Sequence, residues 1–79
     1  MVVSEKNSIL IIGFGVSGRA AAHFFSEKGC KIFVSDSRDE SRLSSDERAF
    51  LQKWCHGFEC GGHSSRFLED VDAVFISPG

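Results

Sequence analysis

The chain has 79 residues, with 9 Lys and Arg against 11 Asp and Glu, a formal net charge of −2, 42% hydrophobic residues and 25% charged ones. That length limits it to one small domain burying roughly 60% of the surface its unfolded form exposes, and the ordinary composition argues against a disordered or fibrous design. Without a basic cluster a nucleic-acid partner is not expected; without an apolar run near ~20 residues or a signal-peptide pattern, no membrane association is expected and a cytoplasmic location is.

After a polar leader, Ser8 to Ile12 (S-I-L-I-I) reads as a strand buried on both faces, as in the centre of a parallel sheet. It runs straight into Gly13, Gly15 and Gly18, the G-x-G-x-x-G spacing of a nucleotide-binding turn. Gly13 would permit the bend, Gly15 would let a ligand approach bare backbone, and Gly18 would let the next helix lie close to the strand. The amides of Val16, Ser17 and Gly18 then fall at a helix N-terminus, where unpaired donors and the helix dipole favour a phosphate or pyrophosphate. A tight strand-to-helix connection without a ligand would use the same glycines.

From Val16 to Lys28 the period becomes helical. Gly18, Ala21, Ala22 and Phe25 are expected to face the sheet, with Arg19, His23 and Glu27 in a stripe on the opposite side and Gly29 ending the helix. On that stripe His23 reads as a surface histidine. Lys31 to Ser35 (K-I-F-V-S) is predicted as a second strand, parallel to the first through the helical crossover. Asp36 follows, eighteen positions past Gly18, near the ~20-residue interval at which a nucleotide-binding unit presents an acid to a ribose or base. Asp39 and Glu40 read as a solvated loop.

Ser44 with Glu47 has the form of a capping box opening a second helix. Phe50, Leu51 and Trp54 would form its apolar face, with Trp54 in the core, and Gly57 would stop it. Phe58 to Cys60 is a short third strand, Gly61-Gly62-His63 a turn, and Ser64 or Ser65 a cap for a single helical turn carrying Phe67 and Leu68. Val71 to Ile76 (V-D-A-V-F-I) is a fourth strand. Cys55, His56, Cys60 and His63 invite a zinc reading, but C-x4-C lacks a close C-x2-C pair, and Cys30, Cys55 and Cys60 are expected as reduced thiols without a metal. The elements together predict an α/β, Rossmann-like three-layer domain with a parallel sheet of about four strands. A sheet that ends one turn after a central strand is expected to continue, so residues 1–79 are read as the first domain of a larger enzyme, lacking its last crossover and strand.

Three segments, I-I-G-F-G-V-S-G-R-A-A-A, V-S-D-S-R and D-A-V-F-I-S-P-G, resemble the N-terminal domain of the Mur ligases, above all their D-glutamate-adding branch. The resemblance covers almost all of this chain and only the beginning of such an enzyme. It implies a domain that holds the UDP part of UDP-N-acetylmuramoyl-L-alanine, with no catalytic residue among these 79. Gly15, Val16, Ser17 and Gly18 would meet the diphosphate and the nucleoside edge; Asp36, Ser37 and Arg38 would meet uracil and ribose; Ser77 and Gly79 would close the site. ATP and magnesium are implied for the parent ligase in peptidoglycan synthesis, acting in central and C-terminal domains outside this chain, and no G-x-x-x-x-G-K-[ST] loop occurs here. The alternative is an NAD-binding dehydrogenase or regulatory domain, in which Asp36 would accept both ribose hydroxyls.

Overall fold

The computed structural model describes residues 7–63 and 67–77. The expected caps at Ser64 and Ser65, and Gly79, lie outside the described residues. Strand β1 (Ser8–Ile12) leads through the glycine turn into helix α1 (Val16–Glu27), then β2 (Lys31–Asp36), helix α2 (Ser45–Trp54), β3 (Gly57–Cys60) and β4 (Ala73–Ile76). The strands are all parallel in the order β3-β2-β1-β4. Among the described residues this is the expected α/β arrangement, with β1 central and the chain reversing its direction of progress between β1 and β4.

β1 is central because its residues can be buried on both faces: Ile9, Leu10 and Ile11 are all buried. Alternation sends Ile9 and Ile11, with their neighbours Ile32 and Val34 on β2, into one core with Ala22 and Phe25 of α1, Leu51 of α2, and Phe14, Cys30 and Leu43. On the opposite face Phe33 meets the Phe67 ring at 5.1 Å. Over β4 that face stays open, with Ile76 70% exposed. The start of β4 is fastened to β1 by a reciprocal pair: Ser8 N–H donates to the Asp72 carboxylate at 2.8 Å, and Asp72 N–H to the Ser8 carbonyl at 2.7 Å.

α1 ends as expected. Gly29 has φ +83° and its amide donates to Ser26 O, while Cys30 N–H donates to Phe25 O, so the last carbonyls are satisfied by a Schellman turn. His23 is exposed and lies 3.5 Å from Glu27 one turn on. α2 opens on the predicted capping box: Ser44 Oγ accepts from Glu47 N–H at 3.1 Å, and Glu47 Oε1 accepts from Ser44 N–H at 2.9 Å.

Four details differ from the sequence reading. α2 stops at Trp54 because Cys55 turns extended, and Gly57 belongs to β3 instead of ending the helix. Its small size matters for packing there, since a Cβ on Gly57 would lie 3.1 Å from both the Phe33 and Phe67 rings. Trp54 is 47% exposed; α2 is short and buries a narrow stripe centred on Leu51, so the ring lies at its rim against Phe50. Asp39 and Glu40 are exposed, yet Asp39 caps a 3-10 turn over Glu40–Arg42. β4 begins at Ala73, two residues later than expected, because Asp72 makes the strand-end contact with Ser8.

Candidate functional site

The glycine turn carries a separate steric requirement at each of its glycines. Gly13 has φ +88°, a conformation L side chains rarely adopt, and its amide donates to the Ser35 carbonyl at 2.8 Å. A Cβ on Gly18 would sit 2.0 Å from Gly13 O, so α1 rests directly on the turn that precedes it. A Cβ on Gly15 would meet nothing within 4 Å. Gly15 is the N-cap of α1 and provides no side-chain cap, so the first amides of the helix face open space with the positive end of the dipole behind them.

Opposite the turn, Asp36 closes β2. Its Oδ2 accepts from Phe14 N–H at 2.7 Å and Arg38 Nη2 at 3.0 Å, and its Oδ1 accepts from Arg38 N–H at 2.8 Å and Nε at 3.1 Å. Four donors fill the roughly four lone-pair positions of a carboxylate. Burial pushes the Asp36 carboxyl up, but the Arg38 donors and the Phe14 amide outweigh it and hold it down at about 2. Arg38 also donates from Nη2 to the Phe14 carbonyl at 2.7 Å and to Glu47 Oε2 at 2.9 Å, and the Asp36 and Glu47 carboxylates raise its already high pKa further. Its cationic charge is therefore offset inside the chain. An anion at this site is left to the helix amides.

The strip from Asp36 to Arg38 is backed by the loop after β3. Gly61 N–H donates to the Arg38 carbonyl at 2.8 Å, and His63 Nδ1 is hydrogen-bonded to Ser35 Oγ at 2.5 Å. His63, weighed above as a zinc ligand, holds this loop down. Among the described residues no group of three or more His, Cys, Asp or Glu is arranged to hold a metal. Burial pushes the Cys55 thiol up to about 12 and also raises Cys30 and Cys60, the last with help from nearby carboxylates.

A cavity of 360 Å³ at the carboxyl ends of β1, β2 and β4 is lined by Gly13, Phe14, Gly15, Asp36, Ser37, Arg38 and Ser77. It lies where the strand order reverses, the position at which open α/β sheets bind ligands, and its volume is at the low end for small-molecule sites. A second cleft of 290 Å³ continues past Gly15 to Val16 and Arg19. Of the residues named from sequence, Gly15, Asp36, Ser37, Arg38 and Ser77 line the main cavity and Val16 the adjoining cleft. Ser17 is exposed beside them, and Gly18 is buried as the spacer under the helix. Another cavity, of 320 Å³, is lined by Asp39, Glu40 and Glu59 with Phe58, Cys60 and Gly61. Its carboxylates oppose an anionic ligand.

Sequence reasoning missed Phe14 and Glu47. Phe14 offers its amide to Asp36 and its carbonyl to Arg38 while its ring is fully buried, 5.6 Å from Phe50. Nothing in an apolar residue between two glycines announces that. Glu47 was legible only as a cap.

Residues 7–79 match the family described as the Mur ligase MurD-like N-terminal domain. Among curated relatives, the UDP-N-acetylmuramoylalanine–D-glutamate ligase of Desulfotalea psychrophila is 38% identical over 77 residues, covering 98% of this chain and 17% of the relative. The ligases of the same name from Koribacter versatilis and Fervidobacterium nodosum are 39% and 40% identical over 90% and 86% of this chain, covering 16% and 15% of their own lengths. The chain thus spans about a sixth of the length of the curated relatives it matches.

Proposed function

Because the chain belongs to the MurD-like N-terminal domain family of the Mur ligases, we propose that it binds the UDP moiety of a UDP-linked muramoyl substrate, as the first domain of an ATP-dependent, D-glutamate-adding ligase. The observation that carries this reading is the uncapped N-terminus of α1 opening at Gly15 onto a cavity at the reversal of strand order. A diphosphate laid against Gly15 would take hydrogen bonds from the amides of Val16, Ser17 and Gly18. Each bond to a charged oxygen contributes about 1.5–3 kcal/mol, more than the ~0.3–1 kcal/mol of the dipole, so amide geometry governs affinity.

The nucleoside then lies across Asp36, Ser37 and Arg38. The Asp36 acceptors are filled, which gives that residue the task of holding the turn and the guanidinium in place and leaves the uracil edge to Ser37 and to main-chain groups. Arg38 offers a flat face, since the N–H bonds to Asp36 and Glu47 run in the guanidinium plane; it stacks on the base and does not reach for a phosphate. Ser77, whose amide is tied to the Ile12 carbonyl at 2.9 Å, forms the wall from β4. No residue of the chain is assigned a catalytic step; ATP and magnesium act elsewhere in the ligase.

The filled carboxylate also counts against the dinucleotide alternative, in which an acid at this position accepts two ribose hydroxyls. Calorimetric titration of the protein with UDP and with NAD separates the two. Binding of UDP with little or no binding of NAD is expected; preference for NAD would reverse the assignment.

A further inference from the structure

Glu47 makes contacts that a helix cap does not need. In a capping box one carboxylate oxygen returns to the N-cap amide and the side chain stays in water. Here Oε1 makes that bond to Ser44, but Oε2 accepts from Arg38 Nη2 at 2.9 Å, Nη1 lies 3.5 Å from Oε1, and the Glu47 side chain is only 15% exposed. Burial pushes the Glu47 carboxyl up, and the hydrogen bonds from Arg38 and Ser44 more than reverse that, so it stays ionised.

The contacts that hold Arg38 are not equivalent. Asp36 grips the Nε and Nη2 edge, but it lies only two residues before Arg38, at the end of β2, and fixes the guanidinium relative to that strand. The Phe14 carbonyl adds the glycine turn. Glu47 takes the remaining edge, formed by Nη1 and Nη2, from a helix that begins seven residues beyond Arg38. With both edges held by carboxylates, the guanidinium is fixed in place where Arg38 lines the cavity. A long side chain ordered before the ligand arrives does not lose that freedom on binding.

We propose that Glu47 is a positioning residue of this site, acting through Arg38 to hold the guanidinium face toward the bound base. The proposal rests on the reading of the cavity as a UDP site. It makes α2 part of the binding apparatus through its first turn.

The test is a double-mutant cycle on UDP affinity in the full chain, using Glu47→Gln, Arg38→Ala and both together. Gln keeps the length and the bond to the Ser44 amide while turning one of its two terminal groups into a donor that opposes Arg38. Glu47→Gln is expected to weaken UDP binding about 10-fold in the native background and by less than about 2-fold in the Arg38→Ala background. Equal losses in the two backgrounds would show that Glu47 acts only through the helix and would overturn the proposal. Failure of the unsubstituted chain to bind UDP would instead remove the site reading on which it rests. A second measurement needs no ligand: ¹⁵N relaxation of Arg38 Nε should change from rigid to mobile in Glu47→Gln, and an unchanged rigid signal would overturn the proposal as well.

Discussion

The two glycines that flank the start of α1 should respond to substitution in opposite ways. At Gly18 an added Cβ would sit 2.0 Å from the Gly13 carbonyl oxygen and 3.2 Å from an Ile11 methyl group, so α1 must move off β1 by at least about 1 Å to reach the ~3 Å that real contacts require. The obstruction is backbone, which has no rotamer to escape into, placing the cost near the ~3 kcal/mol upper end for overpacking; better helix propensity returns up to ~1 kcal/mol. A net loss of about 2 kcal/mol, from the roughly 4–12 kcal/mol expected at this length, lowers Tm by ~8–16 °C. At Gly15 there is no neighbour within 4 Å and φ is −90°, so Gly15→Val should cost no more than the ~1 kcal/mol of a poorer N-cap. Its side chain would stand where the diphosphate approaches, and displacing two amide hydrogen bonds of about 1.5–3 kcal/mol each predicts at least a ~100-fold loss of UDP affinity. Thermal melts and calorimetric titrations of both variants decide the matter. Native UDP affinity in Gly15→Val would refute the site, and native Tm in Gly18→Ala would refute the account of the turn.

The Asp36 carboxyl is held at about 2, below its ordinary 3.8, so its contribution is present above pH ~4 and is lost as the pH falls from there toward ~2. Its side chain is only 7% exposed, and the shift corresponds to roughly 2 kcal/mol; urea melts across that window should lose about this much in the native chain and distinctly less in Asp36→Asn, whereas parallel curves would count against the network. The Cys30, Cys55 and Cys60 thiols are all shifted up by burial, with Cys55 at about 12. Ellman's reagent at neutral pH should therefore react slowly with the folded chain and promptly in denaturant; three fast thiols in the native state would contradict the packing around them.

Much of this protein follows from local rules that need no partner. An unbroken apolar run gives β1 its place between two strands, the three-glycine spacing gives the turn, Ser44 and Glu47 begin α2, and Gly29 ends α1, because each depends on residues within a turn of one another. The same locality carried Gly15 and Asp36 into the candidate site, through an interval set by the length of one strand–helix–strand unit, while Arg38 entered through the family resemblance. Only the packed structure decided what these groups do to each other. Asp36 is filled by Phe14 and Arg38, Glu47 reaches back to Arg38, Gly57 belongs to a strand, and Trp54 stands at a rim instead of in the core. Those outcomes depend on the distances that packing fixes between β1, β2 and α2, elements far apart along the chain, and residue spacing carries no record of distances between elements.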